Sequence, residues 1–324
     1  MFSAKNIHSP NLFVVGAVKS GTSSLHAYLR QHPAIFMSPI KEPHFFSDDL
    51  RLENFSREYR DRVKLDVNEY LRNAILPSRH IAFIDELHQY SQLFREAGDA
   101  SIIGESSPGY LYSNRAAERI FDFNPQAKIL MVLRHPVERA YSHYLMDVRD
   151  FENSDVGFVA AFERDVAAVK KGWGNSHLYL ELGLYSDQVQ RYLDRFPEEQ
   201  LKICLYDDLQ HDPAGFMGEI FQFLGVDGTA RDVIELSTHE HVASLPKFTM
   251  LNRLLFTSDL AKKLSNVLPH KFRRYLKKSM LSQKSIPQLK QAEFDHVIDY
   301  FRDDIQKLSV LLHRDLRQWS HMSK

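Results

Sequence analysis

The chain has 324 residues, and its hydrophobic content of 44% and aromatic content of 12% are ample for a packed core. Its 41 Lys and Arg nearly balance its 42 Asp and Glu, which argues against a general nucleic-acid or membrane-surface protein but allows local basic patches. The single cysteine, Cys204, excludes an intramolecular disulfide, and its apolar surroundings in the sequence predict a small core residue.

Strand-like and helix-like segments alternate along the chain, a pattern typical of parallel βαβ units. The predicted strands are 12–16, 101–105, 128–134 and 201–206. The predicted helices are 21–31, 114–123 capped by Asn114, 137–149 opened by Pro136, 186–196, and 213–224 capped by Asp212. We therefore expect an α/β fold with a central, mainly parallel sheet flanked by helices.

Two regions depart from this alternation within what we expect to be a single domain, 1–324. Residues 48–100 are charged and aromatic without a clear period, which we interpret as an irregular helical insertion. The C-terminal region, 247–324, is predicted to be helical, with one or two amphipathic helices over 292–319. Its 247–290 stretch holds eleven Lys or Arg against the single acid Asp259, and it is either a solvated basic face or a patch for an anionic ligand.

The segment FVVGAVKSGTSSLHAYLRQHPAIF, 13–36, places small and hydroxyl residues around Lys19, between a short strand and a helix. A sharp turn into a helix leaves backbone N–H groups unpaired at the positive end of the helix dipole, and such a place binds phosphate or sulfate. Hydroxyl donors follow on both sides of Gly21: Ser20, Thr22, Ser23 and Ser24. The segment predicts a phosphate cradle, although an ordinary glycine turn with a solvated lysine is the alternative.

The cradle matches the nucleotide-triphosphate P-loop only in part. Gly16 and Gly21 have the required spacing, but Thr22 stands where that motif has its lysine. A kinase or ATPase also needs acidic residues that hold Mg²⁺, and no predicted strand ends in an obvious metal-binding aspartate. A P-loop kinase or nucleotidase is therefore only the second hypothesis, and a requirement for Mg²⁺ would favour it.

The segment LRHPVERAYSHY, 133–144, puts Arg134 at the end of a strand and Ser142 two turns into the next helix. Ligands of a doubly wound sheet bind at the carboxyl ends of its strands, so Arg134 is expected near the cradle. A guanidinium and a hydroxyl suit a second phosphate. The alternative is a local ion pair between Arg134 and Glu138.

Just downstream of the cradle, the segment SPIKEPHFFS, 38–47, contains Lys41, Glu42 and His44. Residues two apart in an extended segment face the same way, so Glu42 and His44 are expected on one face. The neighbouring Phe45 and Phe46 predict a raised carboxyl pKa, which suits a general base. A surface loop with a satisfied histidine is the alternative.

Together the three segments resemble the sulfotransferases that use 3′-phosphoadenosine 5′-phosphosulfate (PAPS). KSGTSSL, 19–25, resembles the family's 5′-phosphosulfate loop, and LRHPVERAYS, 133–142, resembles its 3′-phosphate motif. KEPHFF is similar to the heparan sulfate and bacterial carbohydrate branch. The resemblance covers roughly 11–225, with a weaker similarity at 305–319. Val18 replaces a proline that often precedes the loop lysine, and 48–100 and 226–300 carry no family motif.

The resemblance implies a P-loop-like three-layer fold and the residue roles of a sulfotransferase with PAPS as donor and no metal. Lys19 would stabilise the leaving phosphate, Glu42 would be the general base, and His44, with Lys41, would orient the base or contact the acceptor. The 5′-phosphate would be held by Lys19, Ser20, Gly21, Thr22, Ser23 and Ser24, and the 3′-phosphate by Arg134 and Ser142. Tyr185 resembles a position near the nucleotide, with plain packing as the alternative.

The expected partner is an acceptor glycan or small molecule, and neither a nucleic acid nor a membrane span is expected. The sequence has no apolar run as long as a membrane span and no signal-peptide core, so we expect a cytoplasmic protein. A non-catalytic nucleotide-binding protein is the third hypothesis, and its role would survive replacement of Glu42.

Overall fold

The computed structural model describes residues 9–149, 156–229, 234–236, 245–246, 281–282 and 287–322. Almost all of the predicted basic stretch, 247–290, lies outside these residues.

Five parallel strands form the central sheet. The strands are β1 (Leu12–Gly16), β2 (Ile35–Met37), β3 (Ile40–Glu42), β4 (Arg79–Ile81), β5 (Ile102–Ser106), β6 (Lys128–Leu133), β7 (Leu201–Leu205), β8 (Leu245–Pro246) and β9 (Leu281–Ser282). The central order is β2-β5-β1-β6-β7, while β3 pairs with β4 in parallel and β8 pairs with β9 antiparallel. The carboxyl ends of β1, β5, β6 and β7 therefore share one edge of the sheet.

Helices follow most of these strands. They are α1 (Thr22–Leu29), α2 (Arg57–Val63), α3 (Val67–Leu71), α4 (Leu87–Gln92), α5 (Gly109–Tyr112), α6 (Ala116–Phe123), α7 (Pro136–Arg149), α8 (Phe158–Val166), α9 (Ser186–Leu193), α10 (Tyr206–His211), α11 (Pro213–Leu224), α12 (Gln291–Ile298) and α13 (Arg302–Leu311). Within the described ranges, we find no helix with the length and apolar character needed to cross a bilayer.

Side chains that alternate along β1 enter two apolar cores. Phe13 and Val15 pack into the core shared with α6, α7, α9, α12 and α13. Leu12 and Val14 pack on the opposite face, against α1 and α11. Because both faces are covered, the sheet is the middle of three layers, and the predicted α/β fold is confirmed. Cys204 is buried in the second core, as predicted, and burial raises the pKa of its thiol to about 12.

The four predicted strands and five predicted helices are all present, with ends that differ by at most three residues. The Asp212 cap is confirmed, because its carboxylate accepts from the Gly215 N–H at 2.9 Å. The Asn114 cap is wrong: the Ser113 hydroxyl accepts from the Ala116 N–H at 3.1 Å and so caps α6 instead. The short strands β2, β3 and β4 were not expected, because three residues are too few to show a period.

Candidate active site

The loop from β1 to α1 is held by backbone bonds and by a glycine whose replacement would strain the backbone and displace a neighbouring ring. The Ala17 N–H donates to the Val132 carbonyl at 2.7 Å, which fixes the loop on β6. Gly21 has φ 82°, and a Cβ there would lie 2.7 Å from the Tyr206 ring. Both the positive φ and the close approach therefore require glycine.

Helix α1 begins directly after this turn. Its first intrahelical bond runs from the Leu25 N–H to the Gly21 carbonyl at 3.0 Å. The N–H groups of Thr22, Ser23 and Ser24 precede that bond and form the helix N-terminus, where anions are stabilised. The predicted hydroxyl residues thus surround a backbone cradle, with Ser20, Thr22 and Ser24 buried and Ser23 half-buried.

Lys19 occupies the middle of the loop with a positive φ of 67°, a conformation that non-glycine residues rarely adopt. Its Nζ lies 3.7 Å from the Met146 Sδ, a weak acceptor that does not neutralise the ammonium. Burial, followed by the positive charges of Arg149 and Arg134, lowers the Lys19 pKa to about 8. Lys19 therefore shares its surroundings with these two arginines, which fits a bound anion.

Arg134 follows β6 and joins this loop. One guanidinium nitrogen, Nη1, donates to the Lys19 carbonyl at 3.4 Å, so the two predicted motifs meet. The alternative contact is present as well, because Nη2 lies 3.4 Å from the Glu138 carboxylate. The guanidinium also stacks over the Tyr206 ring at 4.9 Å. Its Nε is buried without a hydrogen-bond partner among the described residues, and an anionic oxygen could supply one.

Two further residues predicted to be near the donor differ in how closely they connect to this pocket. The buried Tyr185 donates its hydroxyl to the Arg134 carbonyl at 2.9 Å, so it supports the arginine from behind. Ser142 lies half-buried in α7, two turns after Arg134.

Glu42 ends β3, and its carboxylate is surrounded by groups that favour its ionised form. Lys41 Nζ contacts Oε1 at 2.5 Å, His80 Nε2 lies 3.8 Å from Oε1, and His44 Nε2 lies 3.8 Å from Oε2. Burial raises the Glu42 pKa, but these three neighbours outweigh burial and bring it to about 2. The carboxylate is therefore ionised throughout the neutral range.

The raised pKa expected for Glu42 is thus wrong. The prediction placed Phe45 and Phe46 around the carboxylate, but their rings point into the core. Phe45 stacks on Tyr90 at 4.3 Å, and Phe46 packs edge-on against Phe13 at 5.5 Å. The phenylalanines consequently anchor the segment instead of desolvating Glu42.

His44 is buried and has φ 54°, the second non-glycine residue of the site in the left-handed region. Its Nδ1 lies 3.3 Å from the Ser47 hydroxyl, which leaves Nε2 facing Glu42. Burial lowers the His44 pKa to about 4, so the ring is neutral at pH 7. Backbone strain at both Lys19 and His44 is typical of functional positions.

A buried carboxylate next to this site escaped the sequence analysis. Glu105 on β5 accepts hydrogen bonds from Tyr90 and Tyr110 at 2.8 and 2.9 Å, and from Ser107 at 2.7 Å. Burial raises the Glu105 pKa to about 7. Its position at the end of a predicted strand was a usable signal. His80 gave no such signal, because it reaches Glu42 only through the unexpected pairing of β3 with β4.

Comparison with known proteins identifies the family of this chain. The model of the sulfotransferase family matches residues 10–230. The chain belongs to this family. A crystal structure of a sulfotransferase from Alicyclobacillus acidocaldarius superposes with a TM-score of 0.66 at 28% identity, covering 97% of this chain and 99% of that one.

Two curated relatives of this sulfotransferase act on carbohydrates by name. Carbohydrate sulfotransferase 15 of Rattus norvegicus is 27% identical over 67% of this chain and 44% of that protein. Human heparan sulfate glucosamine 3-O-sulfotransferase 6 is 27% identical over 69% of this chain and 54% of that protein. The chain thus spans about half the length of these curated relatives.

Proposed function

We propose that this sulfotransferase moves the sulfuryl group of PAPS to a hydroxyl or amino group of a carbohydrate acceptor. The observation that carries the proposal is the contact of Arg134 with the Lys19 carbonyl, which joins two anion-binding motifs in one pocket. Family membership and the carbohydrate relatives give it further support.

The loop and the arginine have separate roles in this proposal. The backbone N–H groups of residues 20–24 hold the 5′-phosphate, and Lys19 stabilises the charge that develops on its bridging oxygen. Arg134, with Ser142, holds the 3′-phosphate. Positioning and electrostatics dominate such a transfer, since charge spreads over the oxygens of the moving group.

Glu42 accepts the proton of the acceptor. PAPS supplies the sulfuryl group: its S–O bond to the phosphate breaks, and a new bond from sulfur to the acceptor oxygen or nitrogen forms. The acceptor proton moves to Glu42, and the bond electrons remain on the phosphate. Oε2 suits this step, because the Lys41 ammonium occupies Oε1. His44, neutral at pH 7, orients the carboxylate.

The first test is calorimetric titration with 3′-phosphoadenosine 5′-phosphate (PAP) without metal, beside ATP with Mg²⁺. We expect PAP to bind and Lys19→Ala and Arg134→Ala to weaken that binding, because each removes a cation from the pocket. A preference for ATP with Mg²⁺ would favour the P-loop kinase instead.

A second arm separates catalysis from binding. Glu42→Gln keeps the shape of the side chain and removes the base, so kcat should fall about 10²-fold or more while PAP affinity stays unchanged. Undiminished sulfotransfer by Glu42→Gln would exclude Glu42 as the base, and intact PAP binding without any sulfotransfer by the unmodified chain would favour the non-catalytic hypothesis.

A further inference from the structure

Six rings form a continuous series that passes beside Glu42 at His44. We name this series the aromatic ribbon: Tyr59, Phe55, Phe83, His44, Trp173 and Tyr112. Its neighbouring ring centroids are 4.3 to 6.3 Å apart, and three of its five contacts are stacked. All of its members except the buried His44 are half-buried, so the ribbon also reaches the surface.

The ribbon is continuous with the catalytic base through His44. The His44 ring stacks on Phe83 at 4.6 Å and meets Trp173 edge-on at 6.3 Å, while its Nε2 lies 3.8 Å from Glu42. Phe83 also lines a cavity of about 240 Å³ beside α2. Phe83 and Trp173 therefore flank the histidine that faces the carboxylate.

Two glycines allow the ribbon to form by admitting rings where a side chain would collide. A Cβ on Gly174 would lie 2.6 Å from the Phe55 ring, so the loop that carries Trp173 packs directly on Phe55. A Cβ on Gly109 would lie 3.2 Å from His44 and 3.3 Å from Trp173. The arrangement is thus fixed by backbone and needs no ligand to assemble.

The charges around the ribbon do not favour a polyanion. The 48–100 segment, which supplies Tyr59, Phe55 and Phe83, holds eleven acidic residues against eight Lys and Arg. Several of its arginines are already occupied: Arg51 pairs with Glu53, and Arg79 donates to backbone carbonyls. Among the described residues, Arg62 already lies over the Tyr59 ring at 4.9 Å, and Arg60 and Lys64 line the Phe83 cavity together with Asp61. The acidic excess of the segment makes its ring faces a better match for the apolar C–H face of a sugar than for its sulfate or carboxylate groups.

We propose that the aromatic ribbon is the acceptor subsite and that it binds a neutral pyranose ring by stacking, with one ring hydroxyl presented to Glu42. The proposal rests on the sulfotransfer proposed above and names its acceptor class. It predicts that acceptor binding depends on stacking against the ring faces and only weakly on salt concentration. A polyanionic glycan held by cations would instead dissociate as the salt concentration rises.

The test titrates the PAP-saturated full chain with neutral trisaccharides, cellotriose and N-acetylchitotriose, and with a heparan sulfate octasaccharide. Each titration is run at roughly 50 and 300 mM NaCl, which shortens the Debye length about 2.4-fold. The variants are Trp173→Leu and Tyr112→Leu. Phe223→Leu is the matched control, because that half-buried ring packs on the opposite face of the sheet.

We expect at least one neutral trisaccharide to bind with an affinity that salt hardly changes. Trp173→Leu and Tyr112→Leu should weaken it about tenfold, with PAP affinity and Phe223→Leu unaffected. Binding of the octasaccharide alone, with strong salt dependence, would overturn the proposal, as would neutral binding that both ribbon variants leave unchanged. Loss of PAP binding itself would count against the proposed function rather than the ribbon.

Discussion

At the scale of single residues, the site is defined by two groups with shifted pKa values. Burial and nearby arginines lower the Lys19 pKa to about 8, and Lys41, with the nearby His80 and His44, brings the Glu42 pKa to about 2 despite its burial. In the proposed reaction, Lys19 acts when protonated and Glu42 acts when ionised. Both conditions hold between pH values of about 2 and about 8, so the pair allows a wide working range of pH.

This pair predicts the pH profile. The kcat/KM for PAPS, which reports the free enzyme, should fall as pH rises through about 8, because Lys19 loses its proton. The corresponding fall in kcat should occur at a higher pH, since a bound anionic donor favours the protonated lysine. Steady-state rates from pH 5 to 10 measure both limbs, and Lys19→Arg should remove the limb near 8, because a guanidinium stays protonated. An acid limb assigned to Glu42 near neutral pH would contradict its low pKa.

At the scale of elements, the turn between β1 and α1 combines two demands on Gly21. Its φ of 82° is unfavourable for other residues, and the Tyr206 ring leaves no room for a Cβ. Gly98 shares only the first demand, because it has φ 53° and a Cβ added there would meet nothing within 4 Å. Alanine substitutions at the two positions therefore distinguish the cost of backbone strain from the cost of a collision with Tyr206.

Gly98→Ala should lower the free energy of unfolding by about 1 kcal/mol through backbone strain alone. Gly21→Ala should lower it by at least about 2 kcal/mol, because Tyr206 must also move, and it should weaken PAP binding by displacing the ring that supports Arg134. Urea denaturation and PAP titration of both variants check this. Equal losses of stability would show that the Tyr206 contact is easily relieved.

The elements also show what the sequence could and could not predict. The four long strands and their helices follow from apolar runs, caps and prolines, and the strand ends placed Lys19 and Arg134 at one edge. The partners of Glu42 did not follow, because His80 arrives through a three-residue strand, which is too short to show a period. The ribbon escaped prediction for a related reason, since the loop that carries Trp173 packs on Phe55 from more than a hundred residues away.

At the scale of the whole molecule, the C-terminal helices support the donor pocket from a distance in sequence. Asp304 on α13 accepts from the Tyr185 N–H at 2.6 Å and from the Ser186 N–H at 3.1 Å, and so caps α9. Tyr185 in turn donates to the Arg134 carbonyl. The end of the chain thereby fixes the arginine expected to bind the 3′-phosphate.

Asp304→Ala should therefore lower the free energy of unfolding by about 1–3 kcal/mol, because two backbone donors lose their acceptor. PAP should also bind more weakly, through loosening of Tyr185. The neighbouring Asp303 is exposed, and Asp303→Ala is the matched control for removing one carboxylate from α13. Thermal melts and PAP titration make the comparison, and identical behaviour of the two variants would disprove the link.

The cations around Lys19 do not discriminate between the donor PAPS and its product PAP. PAP keeps both phosphates of PAPS and loses only the sulfuryl group, so Lys19 and Arg134 hold the spent nucleotide nearly as firmly as the fresh one. Under the proposed chemistry, PAP therefore competes with PAPS for the same cations. An enzyme of this kind slows down when PAP accumulates, so its activity depends on whatever removes PAP from its surroundings.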